Sequence, residues 1–387
     1  MIVSPRRKKL GLKTKVVKKI SDIPVGDWNK VFPDVLESYD YFKTLDESNL
    51  GQFSFYYIMV YHRATPICAA PCFLMNYSLD TSISGPIKRI TNAIKKRMPN
   101  IFNLKALICG TPLGQGRIGI GDHPDCMRVI LRRMEQIAKK NKVAIIAFKD
   151  FDKTYNKALD PLRKKGFSKL TSLPWTELDI RFKTFDEYLK TLSGATRYDL
   201  RRKFKKVDNH IAIDLEIVDT LEDSALHDLY RLYLDIVDKH DMQFEVLSID
   251  FFRNVSKIMP KQTKYFLWRI DGKLVAFLFC LSSQDVMIDY YVGFDYSVAH
   301  THHLYFIKFR DTLNWCIKHG IKKYEMGTTG YEPKRRLGFE FIPLYIYAKL
   351  RNRALRPIFN LICQFLKFEN FDPDLKSIKK LTQQKSH

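Results

Sequence analysis

The stretch "YEMGTTGYEPKRRLGFE", residues 324–340, decides how the second half of this chain is read. It follows "DTLNWCIKHGIKK" (residues 311–323), a hydrophobic helix that Gly320 ends. Tyr324, Glu325 and Met326 start as a buried strand. The chain then opens into two threonines, two glycines, a tyrosine and a Lys-Arg-Arg run before turning aromatic again. Glycine lets a backbone approach a ligand closely. Thr328, Thr329 and Tyr331 offer hydroxyls, and Lys334 offers a point charge suited to phosphate. Arg335 and Arg336 read as a solvated basic turn.

Outward from that stretch, the second half alternates strands and helices. "IDLEIVD" (213–219) is a strand, "SALHDLYRLYLDIVDKH" (224–240) a 3.6-period helix, and "TKYFLWRIDGKLVAFLFCLSS" (263–283) a hairpin turning at Asp271-Gly272. "VMIDYYVGFD" (286–295) is another strand. The first half has the same plan: a hairpin in "FSFYYIMVYHRATPICAAPCFLMNY" (53–77), a basic amphipathic segment "PIKRITNAIKKRMPNIFN" (86–103), then strand, glycine-rich loop, helix and strand, closed by "TELDI" (176–180). The expectation is a mixed α/β protein of two like units, with a boundary near residue 182. Residues 1–182 and 183–350 would be the units, and 351–387 a basic, apolar tail. That tail, "LRNRALRPIFNLICQFLKFENF" (350–371), reads either as an amphipathic helix on a membrane surface or as a terminal helix packed on the domain. "SIKKLTQQKSH" (377–387) reads as disordered.

At 387 residues the chain can bury two full cores. Its net charge of +23 favours a polyanion, a phosphorylated ligand or an anionic membrane face. The seven cysteines lie mostly in apolar runs without zinc spacing, so they read as buried free thiols of a reducing cytoplasm. With no run of 18 apolar residues nothing is expected to span a bilayer, and the basic start has no apolar core to make it a secretory signal.

Several side chains stand out. Arg197 and Arg201 share a helix face in "RYDLRRKFKK" and could grip a phosphate. Glu245, alone between Phe244 and Val246, becomes a general base if its neighbours bury it. Asp289 and Tyr291 alternate on one strand and are expected on one face. His300, His302 and His303 read as a helix start, and no metal site is expected.

The segments "YLKTLSGATRYDLRRKFKK", "WRIDGKLVAFLFCL", "IDYYVGFD" and "GIKKYEMGTTGYEPKRRLGFE", in that order, resemble the FemAB-like (BioF2-like) acyltransferases of the GNAT superfamily. "YDYFKTLDES", "ATPICAAPCFL" and "CGTPLGQGRIG" carry a weaker likeness in the first half, so the resemblance spans residues 35–350. It implies two tandem GNAT-like domains, each a mixed twisted sheet flanked by helices, sharing a cleft in which an acyl or aminoacyl group passes to an amine. It also implies that the 327–334 loop lines the cleft. Glu245, Tyr331 and Lys334 are then the catalytic candidates, and Arg197, Arg201, Asp289, Tyr291 and Thr328 the substrate-binding ones. GNAT enzymes hold acyl-CoA pyrophosphate on a glycine loop; "DYSVAHTHHLYF" (295–306) has no glycine, and "GQGRIGIG" (114–121) is one residue out of pattern. Gly116, Arg117 and Gly119 are its cofactor candidates, and the donor stays open between acyl-CoA and aminoacyl-tRNA. The expected acceptor is anionic, phosphorylated or lipid-linked, in the cytoplasm or at the inner membrane face. The competing readings are a non-catalytic RNA-binding protein and a degenerate GNAT scaffold.

Overall fold

The structure is a computed structural model, and it describes residues 11–78, 103–121, 123–238, 244–365 and 372–384. The amphipathic segment read at residues 86–103 lies almost wholly outside them. Fifteen strands are described: β1 Leu12–Val17, β2 Ser54–His62, β3 Thr65–Ser78, β4 Asn103–Cys109, β5 Gly119–Ile120, β6 Ile145–Phe151, β7 Ser168–Thr171, β8 Trp175–Asp179, β9 Asp214–Val218, β10 Thr263–Ile270, β11 Lys273–Ser282, β12 Val286–Phe294, β13 Lys323–Gly327, β14 Glu340–Ile342 and β15 Tyr345–Leu350. The described α-helices of six or more residues are α1 Tyr39–Glu47, α2 Cys126–Lys140, α3 Phe185–Thr191, α4 Gly194–His210, α5 Asp223–Val237, α6 Ile249–Ile258, α7 Leu304–Lys318, α8 Tyr331–Arg336, α9 Arg356–Phe365 and α10 Pro373–Gln384. The mixed α/β class and the two like units are as expected.

Two mixed sheets run β1-β2-β3-β4-β6-β15-β7, with β5 on β3, and β9-β10-β11-β12-β13-β8-β14. Position by position they match: three antiparallel pairings, one parallel pairing (β4 with β6, β12 with β13), then two more antiparallel strands. The next-to-last strand is exchanged. β8, the strand read as closing the first half, sits between β13 and β14 of the second sheet, and β15 sits between β6 and β7 of the first. The chain therefore crosses between sheets at Ser172–Pro174 and returns at Pro343–Leu344, and the Ser172 N–H donates to the Leu344 carbonyl at 2.8 Å where the crossings meet. By sheet membership neither unit is one continuous span, so 1–182 and 183–350 do not divide the strands cleanly.

The facing sides of both sheets share one core. Phe73, Ala106 and Ile108 of the first sheet, Phe277, Phe279 and Ile288 of the second, and the apolar faces of α1, α5 and α6 all belong to it. Behind the first sheet lies α2; behind the second lie α3, α4 and α7. β11 is buried from Leu274 to Ser282, which explains its unbroken apolar run: both its faces are covered.

Two further expectations differ from the structure. Cys68 of β3 and Cys126 at the start of α2 are disulfide-bonded, although 58 positions separate them; the other five cysteines are free and buried. The end read as disordered is helical through Gln384, because Leu375 is buried there and Asp374 accepts the Glu332 N–H at 3.1 Å. Among the described residues no helix is long and apolar enough to cross a membrane.

Candidate active site

Between the sheets the shared core turns polar. β12 carries the reason. Phe279 of β11 pairs with Tyr291 but its neighbour Cys280 pairs with Asp289, so Tyr290 is an extra residue in a bulge. The bulge breaks the alternation that would have put Asp289 and Tyr291 on one face. Asp289 turns to the α7 side, where the Lys308 ammonium and the Tyr324 hydroxyl bond it in the buried interior. Tyr290 and Tyr291 both turn to the side shared with the first sheet.

There each tyrosine meets a carboxylate. Tyr291 Oη donates to Glu245 Oε1 at 2.9 Å, and Tyr290 Oη donates to Glu37 Oε1 at 2.8 Å. Trp175 Nε1, on the exchanged strand β8, donates to Glu325 Oε2 at 2.6 Å. Glu245 keeps part of its surface, yet the surrounding protein pushes its pKa up to about 7, against the pull of Lys149 and the Tyr291 bond. Burial likewise pushes Glu325 up to about 7, offset in part by the Trp175 bond. Burial and neighbouring carboxylates hold the Tyr41, Tyr290 and Tyr291 phenols well above their ordinary range, so they stay protonated donors.

Arg117 reaches the same cluster from the first half. Its guanidinium lies 3.6 Å from Asp152; burial works against its charge, but the carboxylates of Glu37, Glu325 and Asp152 outweigh it. Two atoms here are buried without a hydrogen-bond partner among the described residues: Arg117 Nε, a donor, and Glu37 Oε2, an acceptor. Buried polar groups left open in this way mark places where a ligand or water completes the bonding. Lys149 sits over the Phe244 ring at 4.8 Å and beside Asp150, whose φ of 60° is left-handed for a non-glycine residue. The cluster thus holds an orientated carboxylate poised near neutrality, a buried guanidinium, a lysine and several phenols. Such groups can accept a proton from an attacking amine and bind a developing or permanent negative charge.

The glycine-rich loop does other work than phosphate binding. Gly116 gives its N–H to the Asp150 carbonyl at 2.8 Å, and Gly119 is paired with Ala69 in β5. A methyl group on Gly116 would lie 2.2 Å from the Lys149 carbonyl, and one on Gly119 2.4 Å from that of Val31. These glycines let backbones touch and so deliver Arg117 to the cluster. They do not offer a row of free amides to a pyrophosphate.

The opening stretch is a short helix rather than a loop. Thr329 and Gly330 take left-handed φ values of 70° and 61°, and α8 starts at Tyr331. Tyr331 is buried, its hydroxyl bonded to the Pro174 carbonyl at 3.0 Å. Lys334 is buried too; its ammonium bonds the carbonyls of Met326, Gly327 and Thr328 at the end of β13. Burial lowers its pKa to about 7, partly offset by Asp289. Both side chains therefore hold the strand end and the crossover in place, and Thr328 contributes its carbonyl. Arg197 and Arg201 lie on α4, behind the second sheet and away from the cluster; Arg201 is exposed, 3.6 Å from Asp186. His303 starts α7 as read, and among the described residues no three His, Cys, Asp or Glu side chains are grouped to hold a metal ion.

Of the expected site residues the structure brings together Glu245, Tyr291 and Arg117. Glu37, Tyr290, Lys149 and Glu325 went unread. A signal for Glu325 exists in the sequence, a single carboxylate inside an otherwise buried strand; Glu37 gives none.

No curated protein matches the chain. Solved structures of the same fold include FemX, at 12% identity over 89% of this chain and 100% of that one with a TM-score of 0.56. A tandem GNAT protein from the clavulanic acid biosynthesis pathway follows at 9% identity, 88% and 98% coverage and 0.55. L-PGS from Bacillus licheniformis has 12% identity, 88% and 95% coverage and 0.52. These likenesses bear out the tandem GNAT fold. A family model described as peptidoglycan biosynthesis and recognition matches residues 19–385, and the chain belongs to that FemAB-like family.

Proposed function

We propose that this chain is a transferase of cell-envelope biosynthesis that moves an acyl or aminoacyl group from an activated donor to an amine on an anionic acceptor. The observation that carries the reading is the inter-sheet cluster: Glu245, orientated by Tyr291, and next to Tyr291 the Tyr290–Glu37 pair with the Arg117 guanidinium, where Arg117 Nε and Glu37 Oε2 each keep an open bonding atom among the described residues. The amine nitrogen attacks the donor's carbonyl carbon. A C–N bond forms, the donor's C–S or C–O bond breaks, Glu245 takes the amine proton, and the leaving sulfur or oxygen is reprotonated. Arg117 Nε binds the acyl oxygen or an acceptor anion, and Glu37 Oε2 orients the N–H. Tyr291 and Lys149 set the position and basicity of Glu245.

The donor is acyl-CoA or aminoacyl-tRNA, either of which is made in the cytoplasm. Since Gly116 and Gly119 are committed to backbone packing, they favour a donor that does not need that loop. The test is a transfer assay with two arms, labelled acyl-CoA and labelled aminoacyl-tRNA, each with a nucleotide-linked peptidoglycan precursor bearing a free amine. Mass spectrometry should find one arm adding the acyl mass to the amine. If the folded chain transfers label in neither arm, the reading fails.

A further inference from the structure

We infer that helix α9 is a docking element for an anionic phospholipid surface. Among the described residues eight large apolar side chains are exposed, and four of them fall in one short segment: Leu355 at 51%, Ile358 at 59%, Leu361 at 55% and Ile362 at 51%. At 100° per residue these four occupy one arc about 120° wide. The adjoining arc is the one that holds the helix to the protein. Cys363 is buried, Phe359 packs on the shared core, and Asn360 Oδ1 accepts from Ser168 Oγ of the edge strand β7 at 3.0 Å. The helix is thus anchored on one side and presents a second apolar side outward. Of the two readings of the tail, the structure shows the helix packed on the domain, and the packing leaves a face free.

Charge specifies the occupant. From Arg351 to Lys367 the chain has no acidic residue. Arg353 is exposed just before the helix, and exposed Lys164 and Lys165 lie in the turn that abuts it, where Arg356 Nη1 would lie 3.0 Å from a methyl group on Gly166. Arg353, Lys164 and Lys165 make no ion pair among the described residues. Apolar side chains entering the acyl region with lysines and arginines at headgroup level are what an anionic bilayer selects. A protein partner's apolar groove would not by itself call for the unpaired cations.

The test is co-sedimentation of the full chain with vesicles of phosphatidylglycerol and phosphatidylcholine mixed equally, against vesicles of phosphatidylcholine alone. The parent should partition onto the mixed vesicles and release as salt rises. Removing the charges (Lys164→Ala, Lys165→Ala, Arg353→Ala) should weaken partitioning about fivefold per charge. The pair Ile358→Asn and Ile362→Asn should weaken it on the order of a hundredfold. Should that pair unfold the chain, Ile358→Trp supplies an independent reading: brominated lipid should quench the added fluorescence on mixed vesicles. Four results would each overturn the inference: equal binding to both vesicle types, no binding, added fluorescence in the Ile358→Trp variant that brominated lipid leaves unquenched, or a self-associated parent that the asparagine pair turns into a monomer.

Discussion

Lys334 is a buried cation whose bonds all go to main-chain carbonyls. Its chemistry invites a catalytic reading, and its geometry assigns it to the end of β13. Replacing it with Met keeps the stem and removes the ammonium from three carbonyls, of which the buried Met326 carbonyl loses it outright while that of Gly327 keeps the Thr176 hydroxyl at 2.7 Å. Lys334→Met should therefore lower stability by about 1–3 kcal/mol, seen in a denaturant titration, while kcat/KM of the folded fraction stays within about twofold of the parent. A large loss of turnover at unchanged stability would return the residue to the reaction. Glu245 shows how far a single residue is legible: a carboxylate between Phe244 and Val246 announces its own unusual environment. Asp289 and Tyr291 show where legibility stops. Period-two alternation holds only without a bulge, and nothing in "MIDYYVG" marks one. Helical spacing put Arg197 and Arg201 together correctly but could not say which way their face looks.

At the scale of elements, the glycine loop between β4 and α2 is the clearest lesson. Its glycines resemble a phosphate cradle in sequence because both uses need backbone without side chains. The structure separates them by what lies opposite: the Lys149 and Val31 carbonyls, not an open space. Gly116→Ala should destabilise the fold by about 1–3 kcal/mol, as overpacking does. Gly194→Ala, where nothing lies within 4 Å of the added methyl, should be neutral or slightly stabilising. Thermal unfolding of the two variants checks both. Equal melting temperatures would mean the loop yields, and with it the fixed position of Arg117. Most strands and helices could be read from periodicity, including the β10–β11 hairpin at Asp271-Gly272. α10 could not, since its order depends on Leu375 and Asp374 meeting the rest of the chain.

At the scale of the molecule, the reciprocal exchange of β8 and β15 joins two like units into one body with a common core. Element order revealed the two units, but a strand carries no mark of the sheet it will join. The exchange also builds the site. Trp175 and Glu325 meet because β8 lies beside β13, and Glu37, Arg117 and Lys149 of the first half meet Glu245, Tyr290 and Tyr291 of the second across the shared core. The central claim is that this junction performs the transfer with Glu245 as its base. The measurement that tests it most directly is kcat/KM against pH for the parent and for Glu245→Gln. A base must be ionised to act, and burial raises Glu245 to about 7. Parent activity should therefore be lost as pH falls through about 7 and level off above it. Glu245→Gln should be slower by about 10²–10⁴-fold and flat across the same window. A variant as fast as the parent, or one that keeps the same acid limb, would contradict the account.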